Sequence, residues 1–237
     1  MHSCHDTDAV IDKTNVRAFT VLMRKGNRTH TAILDHATGL ASQVGLTGLT
    51  IGGLADDLGL SKSGLFAHFR SKETLQLEVL DHAAARFVAD VVRPALREPR
   101  GEPRMRALFE RWLAWDAAQI LPGGCVFAQA ASELDDRPGP TRDHLVRLQR
   151  DWVGVIAESF RKGVAAGHFR HEADAEQFAQ DLYGVMLAFH HAWRLLGDAH
   201  AERRARRAFD ALLAAARVTP GRTESEPGSA PLPPAAT

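Results

Sequence analysis

The run Ser61-Lys62-Ser63-Gly64 is short, polar and basic, and it opens a segment whose apolar residues Leu65, Phe66 and Phe69 recur at helical spacing. Serine hydroxyls can donate to or accept from base edges, and Lys62 can donate to guanine acceptors or to phosphate. Gly64 lets the backbone come close to a partner. His68 and Lys72 follow about one and two turns further on. Ser71 can cap a further helix, whose N-terminus together with Lys72 suits a phosphate group. A helix that presents such residues at its N-terminal end is built to read a DNA major groove.

Such a helix needs a partner that fixes its angle, and the preceding residues supply one. Thr50 is a good N-cap for Ile51–Leu58. Gly59 falls where the chain needs a positive φ to turn, and Ser61 caps the next helix. Leu54, Leu58, Leu60 and Leu65 are expected to pack between the two helices. Ala55, a glycine four residues on, then Leu65 six residues later is the sequence form of a helix-turn-helix. Two short helices joined through a glycine also occur in other all-α proteins, and His68 alone is equally a solvated surface residue. The local charge is modest. Arg24, Lys25, Arg28, Lys62, Arg70 and Lys72 face Asp35, Asp56, Asp57 and Glu73, an excess of two positive charges.

Around this segment the chain reads as helical throughout. Apolar residues at three- and four-residue steps define helices around 33–44, 51–58, 65–69, 75–91, 105–120, 125–134, 145–160, 178–196 and 205–213. Pro94 is expected to end the fourth and Pro122-Gly123-Gly124 the fifth. No stretch alternates as a strand does. Residues 1–28 read as a flexible basic arm, in which Met23 offers an alternative start. The Pro- and Gly-rich residues 218–237 read as a disordered tail. The expected organisation is therefore an arm (1–28), a helix-turn-helix unit (29–75), a larger helical unit (76–217) and a tail (218–237).

Composition narrows the function. Lys+Arg and Asp+Glu are 29 each among 237 residues, so bulk charge cannot hold the chain to nucleic acid or membrane. No apolar run approaches the ~18 residues of a membrane span, and Met1–Asp12 is too polar for a secretory signal. Cys4 and Cys125 share no zinc spacing, which points to a reducing cytoplasm.

The larger unit carries Trp112, Trp115, Trp152 and Trp193. Core packing accounts for them; an apolar cavity between helices is the alternative. In that alternative the ligand-binding set is Trp112, Asp116, Cys125, Trp152, Tyr183, Phe189, His190 and Trp193, with Asp116, Tyr183 and His190 as the orienting polar groups. Cys125 at a helix start suits a lowered thiol pKa and redox sensing, although a small buried cysteine is the commoner case. His190-His191 and the pair His168 and His171 lack further ligands at metal spacing, so no metal or other cofactor is expected. No nucleophile sits beside a base, so no catalytic residues and no enzyme activity are expected.

From Thr29 to Leu75 the chain resembles, without a gap, the N-terminal domain of the tetracycline-repressor (TetR) family of bacterial transcription regulators. The resemblance rests on Thr50, Ala55 and the run Gly59-x-Ser61-Lys62-x-x-Leu65-Phe66-x-His68-Phe69-x-x-Lys72-Glu73-x-Leu75. It implies an all-α homodimer with one helix-turn-helix per subunit, double-stranded operator DNA as partner, and a small-molecule effector whose binding releases the DNA. It also implies that Thr50, Phe66, His68 and Lys72 lie beside phosphates, that Ser61, Lys62, Ser63 and Gly64 lie in the groove, and that the last two helices form the dimer surface. The run Arg203-Arg204-Ala205-Arg206-Arg207 is a solvated face or pairs with acids across that surface. Phe66 stands where the family commonly has tyrosine, which removes a hydroxyl from the phosphate contact. Gly52 and Gly53 each weaken their helix by roughly 1 kcal/mol against alanine. The competing function is a helical small-molecule binding protein that does not bind DNA. A helical enzyme that uses Asp116 with a histidine has no motif behind it.

Overall fold

A computed structural model describes residues 28–118 and 120–218. The expectations for the basic arm, for Met23 and for the tail beyond Val218 lie outside the described residues. Arg28, read as part of the arm, opens the first helix. The first three helices are α1 (Arg28–Val44) and the short α2 (Ile51–Leu58) and α3 (Lys62–Phe69). The long α4 (Lys72–Phe87) then leaves this group and runs, through a π-helical turn at Val88–Val92, into α5 (Arg93–Leu96). The remaining helices are α6 (Glu102–Asp116), α7 (Val126–Leu134), α8 (Pro140–Ala165), α9 (Ala175–Arg194) and α10 (Ala201–Ala216). Among the described residues the only extended pairing is an isolated bridge between Phe169 and Arg217. None of their helices is long and apolar enough to cross a membrane.

The apolar periodicity becomes one continuous core from Ile33 to Ala216. Leu145, Leu148, Trp152, Val155, Ile156 and Phe160 form the buried stripe of α8, which packs on α4, α6, α7 and α9. Pro140 sits in its first turn, where a missing N–H costs nothing. On α9, the Asp174 side chain caps the amides of Glu176 and Gln177. The Phe160 ring stacks at 4.4 Å on Phe169 and 4.2 Å on Phe178. Helix α10 buries Ala201, Ala205, Phe209 and Leu213 at four-residue steps against α9, and Phe209 meets Phe109 at 4.3 Å.

Three details differ from the sequence reading. Pro94 does not end the fourth helix. Its ring would strike the Asp90 carbonyl in a regular α-helix. The π turn opens that space, with the Arg93 N–H reaching back to the Val88 carbonyl. The fifth helix stops at Asp116 rather than continuing to Ile120. The chain then turns through hydrogen bonds from Leu121 N to Ala118 O and from Gly124 N to Leu121 O, and Ile120 is left exposed. Leu60 does not pack between α2 and α3: it lies in the turn, 44% exposed, while Leu54 and Leu65 are buried.

Candidate functional site

The turn between α2 and α3 is fixed by hydrogen bonds. Thr50 Oγ1 accepts from Gly53 N at 3.0 Å, and Ser61 Oγ accepts from Gly64 N at 3.1 Å. Gly59, at φ 63°, closes α2: Leu60 N donates to Ala55 O and Gly59 N to Asp56 O. Together these form a Schellman motif. Helix α3 anchors itself through buried Leu65 and Phe69, and this orientation leaves Ser61, Lys62, Ser63, Gly64, Phe66 and His68 exposed. Phe66 is 56% exposed, its phenyl ring in solvent.

Two predicted contact residues are already engaged. Lys62 Nζ lies 3.5 Å from Asp56 Oδ2, with both side chains largely in solvent. Lys72 Nζ donates to the Thr47 carbonyl at 2.5 Å and so braces the loop that leads into α2. The hydroxyls of Ser61 and Thr50 serve as helix caps. His68 stands over His30 of α1, with ring centroids 5.7 Å apart. The Ser71 side chain caps Thr74 N, which leaves the start of α4 exposed next to Lys72.

This unit is tied to the larger one at named points. Asp35 of α1 accepts from His82 at 2.8 Å and from Arg86 at 2.6 Å on α4. Desolvation raises the Asp35 pKa, but those two partners outweigh it and hold the carboxyl below its ordinary value. Gln76 donates to Leu46 O, and Gly123 N donates to Ser42 Oγ at 3.0 Å. Glu133, near the end of α7, accepts from Leu46 N at 3.2 Å and from Thr47 N at 2.7 Å. Gly45, at φ +80°, makes that approach possible, because a Cβ there would collide with the Glu133 carboxylate. Sequence reasoning missed Glu133: its partners are 86 and 87 residues away, and no local pattern marks it.

Trp112, Trp115 and Trp152 are buried in the core, and Trp112 and Trp152 also form cavity wall; Trp193, 42% exposed, departs from the core reading. Trp112, Cys125, Trp152 and Tyr183 line a small apolar cavity together with Phe87, Phe127, Ala128, Leu148, Gln149 and Leu187. The last six were not anticipated, although each lies on the apolar or edge stripe of its helix. Phe87 meets Trp152 edge-on at 4.9 Å and Trp115 at 5.3 Å. Tyr183 Oη donates to Gln149 Oε1 at 2.5 Å, and Gln149 Nε2 donates to Phe127 O at 3.0 Å. The enclosed space is about 20 Å³, room for roughly one water molecule.

Asp116 and His190 sit behind this wall rather than in it. The Asp116 carboxylate is buried; its Oδ1 accepts from Cys125 N at 2.8 Å and pairs with His190 Nδ1 at 2.7 Å. Burial, reinforced by the Asp116 carboxylate, pushes the Cys125 thiol up to about 11. That is the opposite of an activated thiol, and it corrects the redox-sensing alternative. Burial likewise raises the Tyr183 phenol. Phe189 and Trp193 face a separate open groove with Leu113, Glu110, Glu202 and Arg206. Arg206 there pairs with Glu110 and Glu202, and Arg204 pairs with Asp198, so part of the arginine run is engaged within the chain. Among the described residues no three His, Cys, Asp or Glu side chains converge as metal ligands.

These features define an all-helical protein that presents a helix-turn-helix beside a larger helical unit with an internal cavity. Residues 33–79 match the family model "Bacterial regulatory proteins, tetR family", and residues 101–209 match "Tetracyclin repressor-like, C-terminal domain". A TetR transcriptional regulator from Chloroflexus aurantiacus has a solved structure that superposes with a TM-score of 0.73 at 25% identity, over 83% of this chain and 100% of that one. A putative regulator from Saccharomonospora viridis in complex with choline superposes at 0.66 and 22% identity, over 81% and 100%. AibR, solved with isovaleryl coenzyme A and operator DNA, superposes at 0.61 and 20% identity, over 78% and 96%. No curated protein sequence matches the chain. The chain belongs to the TetR family of transcriptional regulators, which are DNA-binding proteins and not enzymes.

Proposed function

We propose that the chain is a homodimeric repressor released from its operator by a small, apolar or aromatic effector. The observation that carries this reading is the orientation of α3, which buries Leu65 and Phe69 and turns Lys62, Ser63, Gly64, Phe66 and His68 outward. Residues 29–75 form the DNA-reading unit and 76–217 the effector and dimer unit, with α4 shared between them. In the complex Lys62 leaves Asp56 for the groove, and Thr50, Phe66, His68 and Lys72 border the phosphates. One short recognition helix offers few base contacts, so two subunits must read a palindrome-like site, with half-sites about one helical turn apart or a multiple of it. The dimer surface is carried by α9 and α10 and the turn between them, where Leu195 and Leu196 are exposed. Two structural relatives hold small molecules, one of them also with operator DNA, which supports the effector reading.

Induction follows from what the cavity wall touches. The cavity holds only about 20 Å³, so an effector must displace lining side chains, which include Phe127 on α7 and Phe87 on α4. Helix α7 reaches the DNA-reading unit through Glu133, and α4 reaches it through Lys72. A duplex shift assay with the chain's own upstream region tests the reading. Specific retardation that an effector reverses supports it. Effector binding with no DNA binding would instead establish a small-molecule binding protein.

A further inference from the structure

We propose that the cavity takes an uncharged, largely aromatic molecule that carries a hydrogen-bond-accepting oxygen, and that the Trp152 indole N–H holds this oxygen. This rests on the reading of the cavity as the effector site. None of the lining side chains is a lysine, arginine, histidine, aspartate or glutamate. Cys125 and Tyr183, the lining groups that titrate, are both held neutral by burial. A charged ligand would therefore enter an apolar space without a counter-ion, at a desolvation cost that no lining group offsets. The nearby Asp116 carboxylate has Cys125 N and His190 on Oδ1 and a buried Oδ2 without a partner, but it is not one of the lining residues.

The polar groups of the lining are unequally satisfied. Tyr183 Oη is used on Gln149, and the Gln149 amide is used on the Phe127 carbonyl. Trp152 is 5% exposed, and its Nε1 is buried with no hydrogen-bond partner. A buried N–H left unpaired is costly and calls for an acceptor. Of the lining side chains Trp152 thus carries the unpaired donor, and Phe87, Trp112, Phe127 and Trp152 give the wall the aromatic surface that suits an aromatic molecule.

The test uses propiophenone and propylbenzene, which differ by a ketone in place of a methylene, titrated calorimetrically into the full chain without DNA. The ratio of their affinities cancels the shared apolar contacts. Trp152→Phe should lower the ketone's advantage about three- to tenfold. In the unaltered protein the Trp152 indole N–H resonance should shift downfield with propiophenone and not with propylbenzene, a readout that does not depend on the variant folding well. 3-Phenylpropylamine and 3-phenylpropionate should bind at least about tenfold more weakly than the ketone. An unchanged ratio in Trp152→Phe, an indole resonance indifferent to the ketone, tighter binding of a charged probe, or no binding of any probe would each overturn the proposal. DNA release is measured separately: a ketone that binds through Trp152 but leaves operator affinity unchanged overturns induction through this cavity and leaves the ligand chemistry standing.

Discussion

Glu133→Ala should uncouple the effector from DNA. Glu133 lies six residues beyond Phe127 on α7, about 9 Å along the helix axis. Its carboxylate holds Leu46 N at 3.2 Å and Thr47 N at 2.7 Å, at the end of α1 and just before the Thr50 cap. A hydrogen bond to a charged group contributes about 1.5–3 kcal/mol, and the longer of the two is weak. The joint is half-buried, so water replaces part of what is lost, and about 2 kcal/mol is the expected total cost. At ~2–4 °C per kcal/mol for a chain of this size, the melting temperature should fall by about 4–8 °C. Allosteric coupling is typically about 1–3 kcal/mol, the same size as this joint. If α7 carries the signal, the ratio of effector affinities measured with and without operator should fall towards one in Glu133→Ala. Glu133→Gln, which keeps an acceptor without the charge, should fall between the two. The assay is calorimetric titration of the effector against free protein and against the operator complex. A variant that melts earlier but keeps the full affinity ratio would refute the reasoning and leave α4 as the carrier.

Gly45→Ala should act on the same joint from the other side, since it adds a strained φ to a collision with Glu133; thermal melting and the same affinity ratio check it. Lys62→Ala should relax base preference, read from binding to specific and random duplexes. Lys72→Ala should weaken binding to all sequences, flatten the salt slope by about one unit and, because Lys72 also braces Thr47, lower the melting temperature. Stability should decline as pH rises from the ordinary thiol value of 9.0 towards about 11, because the unfolded Cys125 ionises first, and native Cys125 should resist alkylation at pH 8. Hydrogen bonds from Arg217, then Arg106, hold Glu102 at about 2, so its contribution is present above the ordinary 4.5 and disappears as pH falls towards 2; Glu102→Gln should flatten that limb of a melting-versus-pH curve. Leu195→Glu with Leu196→Glu should yield monomers in sedimentation and abolish binding to a palindromic site.

The helix-turn-helix was legible because its determinants are local. Thr50, Gly59 and Ser61 act within three to five residues of themselves, and Leu65 and Phe69 mark the buried side by helical period. The stripes of α8 to α10 were legible for the same reason. Pro94 misled because a π turn upstream relieves the clash that normally ends a helix. Asp116 stood out as a carboxylate on an apolar face, yet only the fold shows what it does: it caps the chain at Cys125, nine residues on, and pairs with His190 across to α9. The cavity set was split because Phe189 and Trp193 share the helix of Tyr183 but face another side of it. Glu133 and Gln149 carried no signal, since their partners are set by tertiary packing alone.

The two walls of the cavity lead to one residue. Phe87 is the last residue of the α-helical part of α4, and the π turn begins at Val88, so the helix changes its hydrogen-bonding register where it passes the cavity. Such turns are rare inside α-helices and frequent at functional sites. The far end of α4 holds Lys72, whose ammonium donates to the Thr47 carbonyl. Phe127 begins the other route, and Glu133 near the end of α7 accepts from the Thr47 amide. Thr47 is thus held through its N–H from one wall and through its C=O from the other, three residues before the cap that starts α2. An effector that moves either wall pulls on the same loop, and one that moves both need not move either far. A cavity of about 20 Å³ cannot admit an aromatic molecule without such movement. In the proposed mechanism, tight packing around an unpaired indole N–H is therefore what converts occupancy into force on the DNA-reading unit.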